Sequence, residues 1–150
     1  KIKQQEKANR PQPGSTRLLD DVPISMPGLT RAVKLQKKAA TVGFDWPDPQ
    51  AVIAKIEEEL QEVREEVESG DKDRLEAEIG DLLFAVTNLA RHYKINPDVA
   101  LRGTNQRFSS RFSVVEDRMM EQGGWESATL EKMEAAWQEA KQREKLSDSK

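Results

Sequence analysis

The chain has 150 residues, enough to bury one hydrophobic core without covalent staples. Charged residues make up 34%, aromatics only 5%, and the net charge of −3 is mixed in sign; this suits well-solvated helices and leaves no electrostatic footprint for a nucleic-acid polymer. There is no cysteine and a single histidine, His92, so disulfides, thiolate sites and zinc sites built on several imidazoles are excluded. Any metal must be held by oxygen, which points to Mg²⁺, with Mn²⁺ as a substitute.

In chain order, residues 1–25 are polar and carry Pro11, Pro13, Gly14 and Pro23, the composition of a linker or arm. The opening Lys1 to Arg10 has helical composition without a starting cap, and is expected to be the tail of a preceding domain. Residues 26–146 form the expected catalytic domain, an all-α antiparallel bundle of about five helices. The first is expected from about Pro27 to Thr41, with Gly43 past its end. Asp48 caps a second helix from about Pro49 to Glu68, which stops at Ser69-Gly70. Asp71 caps a third, to about Tyr93, and Asn96-Pro97 breaks the chain before a fourth, from about Pro97 to Glu121. Gly123-Gly124 ends that helix, and Thr129 caps a fifth running to about Lys145, ahead of a polar tail at 147–150. Lys132 stands where a capping box needs Glu or Gln, so the last cap is one-sided. No apolar run reaches the ~20 residues of a membrane span and no signal-peptide pattern opens the chain; a cytoplasmic protein is the simplest reading.

The chemistry lies on the second and third helices. The apolar stripe Val52, Ile53, Ile56, Leu60, Val63 and Val67 leaves Glu59 about 70° from its centre and Glu62 about 130° from it, on the same flank, while Glu58 falls almost opposite. On the third helix the expected core face is Leu75, Ile79, Leu82, Leu83, Val86, Leu89 and Tyr93, with Glu78 about 70° to one side and Asp81 at i+3. Packed antiparallel, two such helices bring four carboxylates to one point at the edge of the core. Their mutual repulsion is relieved by a divalent cation, or by a proton on one of them. The remaining acids nearby read as solvated helix surface.

Glu59-x-x-Glu62, fifteen intervening residues and Glu78-x-x-Asp81 resemble the signature of the MazG-like all-α nucleoside triphosphate pyrophosphohydrolases. Arg31-Ala32-Val33-Lys34-Leu35-Gln36-Lys37, Gly43-Phe44-Asp45-Trp46, Glu78-Ile79-Gly80-Asp81-Leu82-Leu83-Phe84, Asn88-Leu89-Ala90-Arg91 and Asn105-x-Arg107-Phe108-x-x-Arg111-Phe112 resemble it as well. Within the family the chain is most similar to the carboxy-terminal domain of two-domain members. The resemblance implies hydrolysis of NTPs and dNTPs between the α and β phosphates, with broad specificity, in a homodimer that keeps nucleotide pools clean. It implies that Glu59, Glu62, Glu78 and Asp81 ligate Mg²⁺. Glu58 is either the catalytic base, a supporting contact or simply exposed. Lys55, Arg107, Arg111 and Lys141 are the expected phosphate-binding cations; the family often has lysine where Arg107 stands, which changes geometry more than charge. Trp137 either stacks on a base or packs in the core, and Asn105 is expected to hydrogen-bond either phosphate or a water on the metal. Two rivals stay open at this point: a relative specific for dUTP or phosphoribosyl-ATP, and a non-catalytic dimerisation module.

Overall fold

A computed structural model describes residues 17–149; residues 1–16 of the expected linker 1–25, with the expected helical opening, lie outside them. Among the described residues every regular element is helical. Helix α1 spans Gly28–Ala40, α2 Pro49–Ser69, α3 Lys72–His92, α4 Pro97–Glu121 and α5 Leu130–Asp148, with a short 3₁₀ turn at Trp125–Ser127 before α5. The chain divides into two compact units after Asp98.

Local chemistry sets the helix ends in the first unit. The Asp48 carboxylate accepts the Ala51 N–H at 2.9 Å with Pro49 in the first turn, a cap that contributes about 1 kcal/mol. Helix α2 ends where Gly70 turns left-handed at φ 75°, a conformation that glycine adopts without a Cβ clash. Asp71 then accepts from the backbone of Asp73 and Arg74 to start α3. This two-residue connection folds α3 back along α2, and α1 packs on α3 as well. The end of α3 is less expected. Lys94 takes the left-handed position, φ 56°, while Ile95 N–H reaches back to Ala90 O at 2.9 Å. Asn96 then accepts the Asp98 N–H to open α4.

The buried side chains of this unit are mostly small or polar: Val22, Gln36, Val52, Glu59, Ala85, Thr87 and Asn88. Gln36 donates to Phe84 O at 2.9 Å, tying α1 to α3, and Thr87 donates to Leu83 O. The expected core face of α3 is therefore corrected. Ala85, Thr87 and Asn88 are buried, whereas Ile79, Leu83 and Val86 remain 43–53% exposed. Small residues let the helices approach closely, and the large apolar side chains are left on another face.

The second unit is organised around Val115, Met119 and Ala136, against which Ala128, Met133 and Trp137 pack. Arg118 of α4 grips Glu139 of α5 through two hydrogen bonds, and Arg111 grips Glu144 in the same way. Gly123 is left-handed at φ 107°, and a Cβ there would lie 2.9 Å from Ser127 Oγ. Thr129 accepts the Lys132 N–H at 3.2 Å, the one-sided cap expected from sequence. Helix α5 continues to Asp148, past the expected end near Lys145, because nothing in Glu144-Lys145-Leu146-Ser147 breaks a helix.

Candidate metal centre

Helices α2 and α3 place carboxylate oxygens of Glu59, Glu78 and Asp81 within 4.8 Å of one another. The three differ in environment: Glu59 is only 5% exposed, Glu78 half-buried and Asp81 exposed. Such a gradient sets the cluster at the edge of the core, with Glu59 inside and Asp81 open to solvent. The fourth expected ligand, Glu62, joins the group. Its hydrogen bond with Glu78, the neighbouring charge of Glu59 and burial together push its pKa up to about 7. Without a cation, then, the crowding of these carboxylates favours the protonated form of Glu62.

A divalent cation fits this donor set. Glu59 Oε2 and Glu78 Oε2 are both buried with no hydrogen-bond donor of the protein reaching them. A buried carboxylate oxygen without a partner is costly, and two of the three clustered residues carry one, which favours positive charge there. An all-oxygen set from carboxylates suits Mg²⁺ or Mn²⁺. One protein cation is already present: Lys55 Nζ lies 3.0 Å from Glu59 and 3.4 Å from Glu58. Hydrogen bonding to Glu59 raises the Lys55 pKa, so its ammonium stays charged. Glu58 is mostly exposed; it flanks the cluster through Lys55.

The remaining expected residues belong to the second unit. Arg111 makes a bidentate contact with Glu144 at 2.8–3.1 Å, and its guanidinium lies 5.6 Å from the centre of the Trp137 ring. Phe108 meets Trp137 at 5.3 Å between ring centres. Trp137 thus packs against the core of this unit, with Arg111 and Phe108 beside its ring. Arg107 is exposed and donates to Thr104 at 3.0 Å. Arg107 and Lys141 act with Arg111 to hold the Glu144 carboxyl below its ordinary range, the Arg111 hydrogen bond leading. Asn105 is exposed.

Two features escaped sequence reasoning. Glu144 was one acid in a charged helix, and no spacing rule ties it to Arg111, 33 residues away. The other is Asp45, which lies 2.9 Å from His92 Nε2 and also binds Arg91, itself held by Asn88. Burial raises the Asp45 pKa, but the hydrogen bonds from Arg91 and His92 outweigh it and hold the carboxyl below its ordinary value. His92 ends α3, yet its side chain is largely covered. This node pins the loop after α1 to the end of the helix that carries Glu78 and Asp81. The signal was present in the motifs Gly43-Phe44-Asp45-Trp46 and Asn88-Leu89-Ala90-Arg91, but their pairing was not.

Residues 48–114 match the sequence profile of the MazG nucleotide pyrophosphohydrolase domain. The chain is 44% identical over 147 residues to the nucleoside triphosphate pyrophosphohydrolase of Escherichia coli K12, covering 95% of this chain and 54% of that protein. It is 40% identical over 142 residues to a nucleoside triphosphate pyrophosphohydrolase/pyrophosphatase MazG of Thermotoga maritima, covering 93% and 52%. It is 45% identical over 132 residues to the uncharacterized protein YabN of Bacillus subtilis, covering 87% and 27%. The chain spans about half the length of the first two of these curated relatives.

Proposed function

We propose that this chain, whose residues 48–114 match the MazG nucleotide pyrophosphohydrolase domain, hydrolyses nucleoside and deoxynucleoside triphosphates between the α and β phosphates, releasing the monophosphate and pyrophosphate. The observation that carries this reading is the pair of donorless buried oxygens, Glu59 Oε2 and Glu78 Oε2, in a cluster with Asp81. Glu59, Glu62, Glu78 and Asp81 would hold Mg²⁺, with Mn²⁺ as a substitute. When bound, the cation supplies charge neutralisation and orientation of the phosphate oxygens.

The protein's own residues do the rest. Lys55, with its ammonium 3.0 Å from Glu59 and 3.4 Å from Glu58, orients both carboxylates. Glu58, exposed beside the cluster, is the group free to take a proton from an attacking water. In the second unit Arg107, Arg111 and Lys141 are the phosphate-binding cations, Asn105 a hydrogen-bonding group and Trp137 the stacking surface. Arg111 already presents its fork to the Glu144 carboxylate, the same planar recognition that a phosphate would use. Stacking accepts any base, which supports broad nucleotide specificity and a role in cleaning nucleotide pools.

The exposed Ile79, Leu83 and Val86 follow one another at i, i+4 and i+7 on α3, a helix face that favours burial. We propose a homodimer that covers it. No helix among the described residues is long and apolar enough to cross a membrane. The test is release of monophosphate and pyrophosphate from a panel of NTPs, dNTPs, dUTP and phosphoribosyl-ATP, with and without Mg²⁺. Comparable turnover across the NTPs and dNTPs is expected. Strong preference for dUTP or phosphoribosyl-ATP would overturn the broad specificity, and no turnover with Mg²⁺ would overturn the activity.

A further inference from the structure

A second feature of the first unit has the opposite charge. A cavity of about 680 Å³ opens where α1 faces the end of α3, and Lys34, Lys37, Arg91 and Lys94 line it together with apolar Val33 and Ile95. No lining residue is acidic. Arg91 is shared with Asp45, but no ion pair involves Lys34, Lys37 or Lys94 among the described residues. None of the acid cluster contributes to the lining. Arg91 is ten residues beyond Asp81 on α3, about 15 Å along the helix at its usual rise.

Three unpaired ammonium groups around one cavity, in a chain of net charge −3, repel one another until an anion joins them. The backbone adds a separate observation. Lys94 sits in the left-handed region, φ 56°, at a helix-end position that glycine or asparagine fills with less strain. A strained residue that carries a long cation into a cavity is a sign of use. The cavity size falls within the range of small-molecule sites, and the apolar walls leave room for more than bare phosphate.

We propose that this cavity is a second, non-catalytic binding site for a polyphosphate group, on a nucleotide or as the inorganic anion. Lys34, Lys37 and Lys94 contact its phosphates, and Val33 and Ile95 form the wall on which a nucleoside would rest. The site needs no divalent cation, so it stays open when the acid cluster is stripped of metal. That separates it from the hydrolytic reading, which can fail without touching it.

The experiment is isothermal titration of the full chain in EDTA at about 0.15 M salt, where exposed charges are largely screened, with inorganic tripolyphosphate and ATP in separate arms. Saturable binding is expected in at least one arm. Equal affinities identify the phosphates alone as the ligand, and tighter ATP binding adds the nucleoside wall. The double variant Lys34→Gln, Lys37→Gln changes two exposed positions and should weaken binding roughly tenfold or more. Lys94→Asn should weaken it while leaving the melting temperature equal or higher, since asparagine tolerates the left-handed conformation. Glu59→Gln should leave it unchanged. Absence of saturable binding in both arms, complete displacement by equimolar sulfate, or affinity unmoved by the lysine variants would overturn the proposal.

Discussion

Glu62 shows how one side chain reports on the site around it. The hydrogen bond to Glu78 and the charge of Glu59 push its pKa up to about 7, the crowding of carboxylates that the proposed cation would relieve. Glu62→Gln keeps the shape and removes one anion. Mg²⁺ affinity, read by calorimetry, is expected to fall at least ~10-fold, the loss typical of disturbing groups at a metal site; an unchanged affinity would remove Glu62 from the ligand set. Arg111 poses a competition of another kind. Glu144 occupies the fork that the proposed substrate would use, so Glu144→Gln should lower KM for NTPs by a few-fold, by the cost of one charge-assisted contact. A raised KM would show instead that Glu144 orients Arg111 for the substrate. The four acids were legible from helical spacing because i, i+3 pairs fix which flank a side chain takes. The Glu144 contact was not, since it depends on how two helices meet.

The α4–α5 pair shows what holds an element together. Met119 is 1% exposed at its centre, and Met119→Ala should destabilise the unit by about 2–5 kcal/mol through lost burial and a residual cavity, read by urea titration. Around that centre Glu139 is bound by Arg118 and Arg143, and Glu144 by Arg111. The Arg118 hydrogen bonds hold the Glu139 carboxyl below its ordinary value of 4.5, and Arg111 does the same for Glu144. A carboxyl with a depressed folded pKa binds protons better when unfolded. Its contribution is therefore complete above pH 4.5 and is lost as pH falls through the lower folded value. Melting temperature should drop below that point, and Glu139→Gln should flatten the drop; identical acid profiles would contradict the assignment. Helix boundaries were largely legible, because Asp48, Asp71, Thr129, Gly70 and Pro97 each have a local reason to sit at an end. The buried face of α3 was not. Periodicity found its apolar stripe, but packing chose Ala85, Thr87 and Asn88 because small and hydrogen-bonded side chains let α1 and α2 approach.

At the scale of the whole molecule, the uncovered stripe Ile79, Leu83 and Val86 asks for a partner surface, and the proposed homodimer supplies one. Light scattering at micromolar concentration should give twice the chain mass, and Leu83→Asp should reduce it to one chain; a wild-type monomer would refute the dimer. Charge is also divided within the first unit, with the acid cluster of α2 and α3 at one place and unpaired lysines near the end of α3. The sequence motifs named a family and a metal site, but could not show Asp45 joining Arg91 and His92, which brings the loop and the helix end together. The account's central claim is that the acid cluster is a Mg²⁺-dependent hydrolytic site, and the most direct test is pyrophosphate release from a triphosphate by the wild-type chain, Glu59→Ala and Asp81→Ala. It predicts release only with Mg²⁺ or Mn²⁺, and a loss of about 100-fold or more in each folded variant, on the scale of removing one group that stabilises transition-state charge. Undiminished release from either folded variant, or release that persists in EDTA, would contradict it.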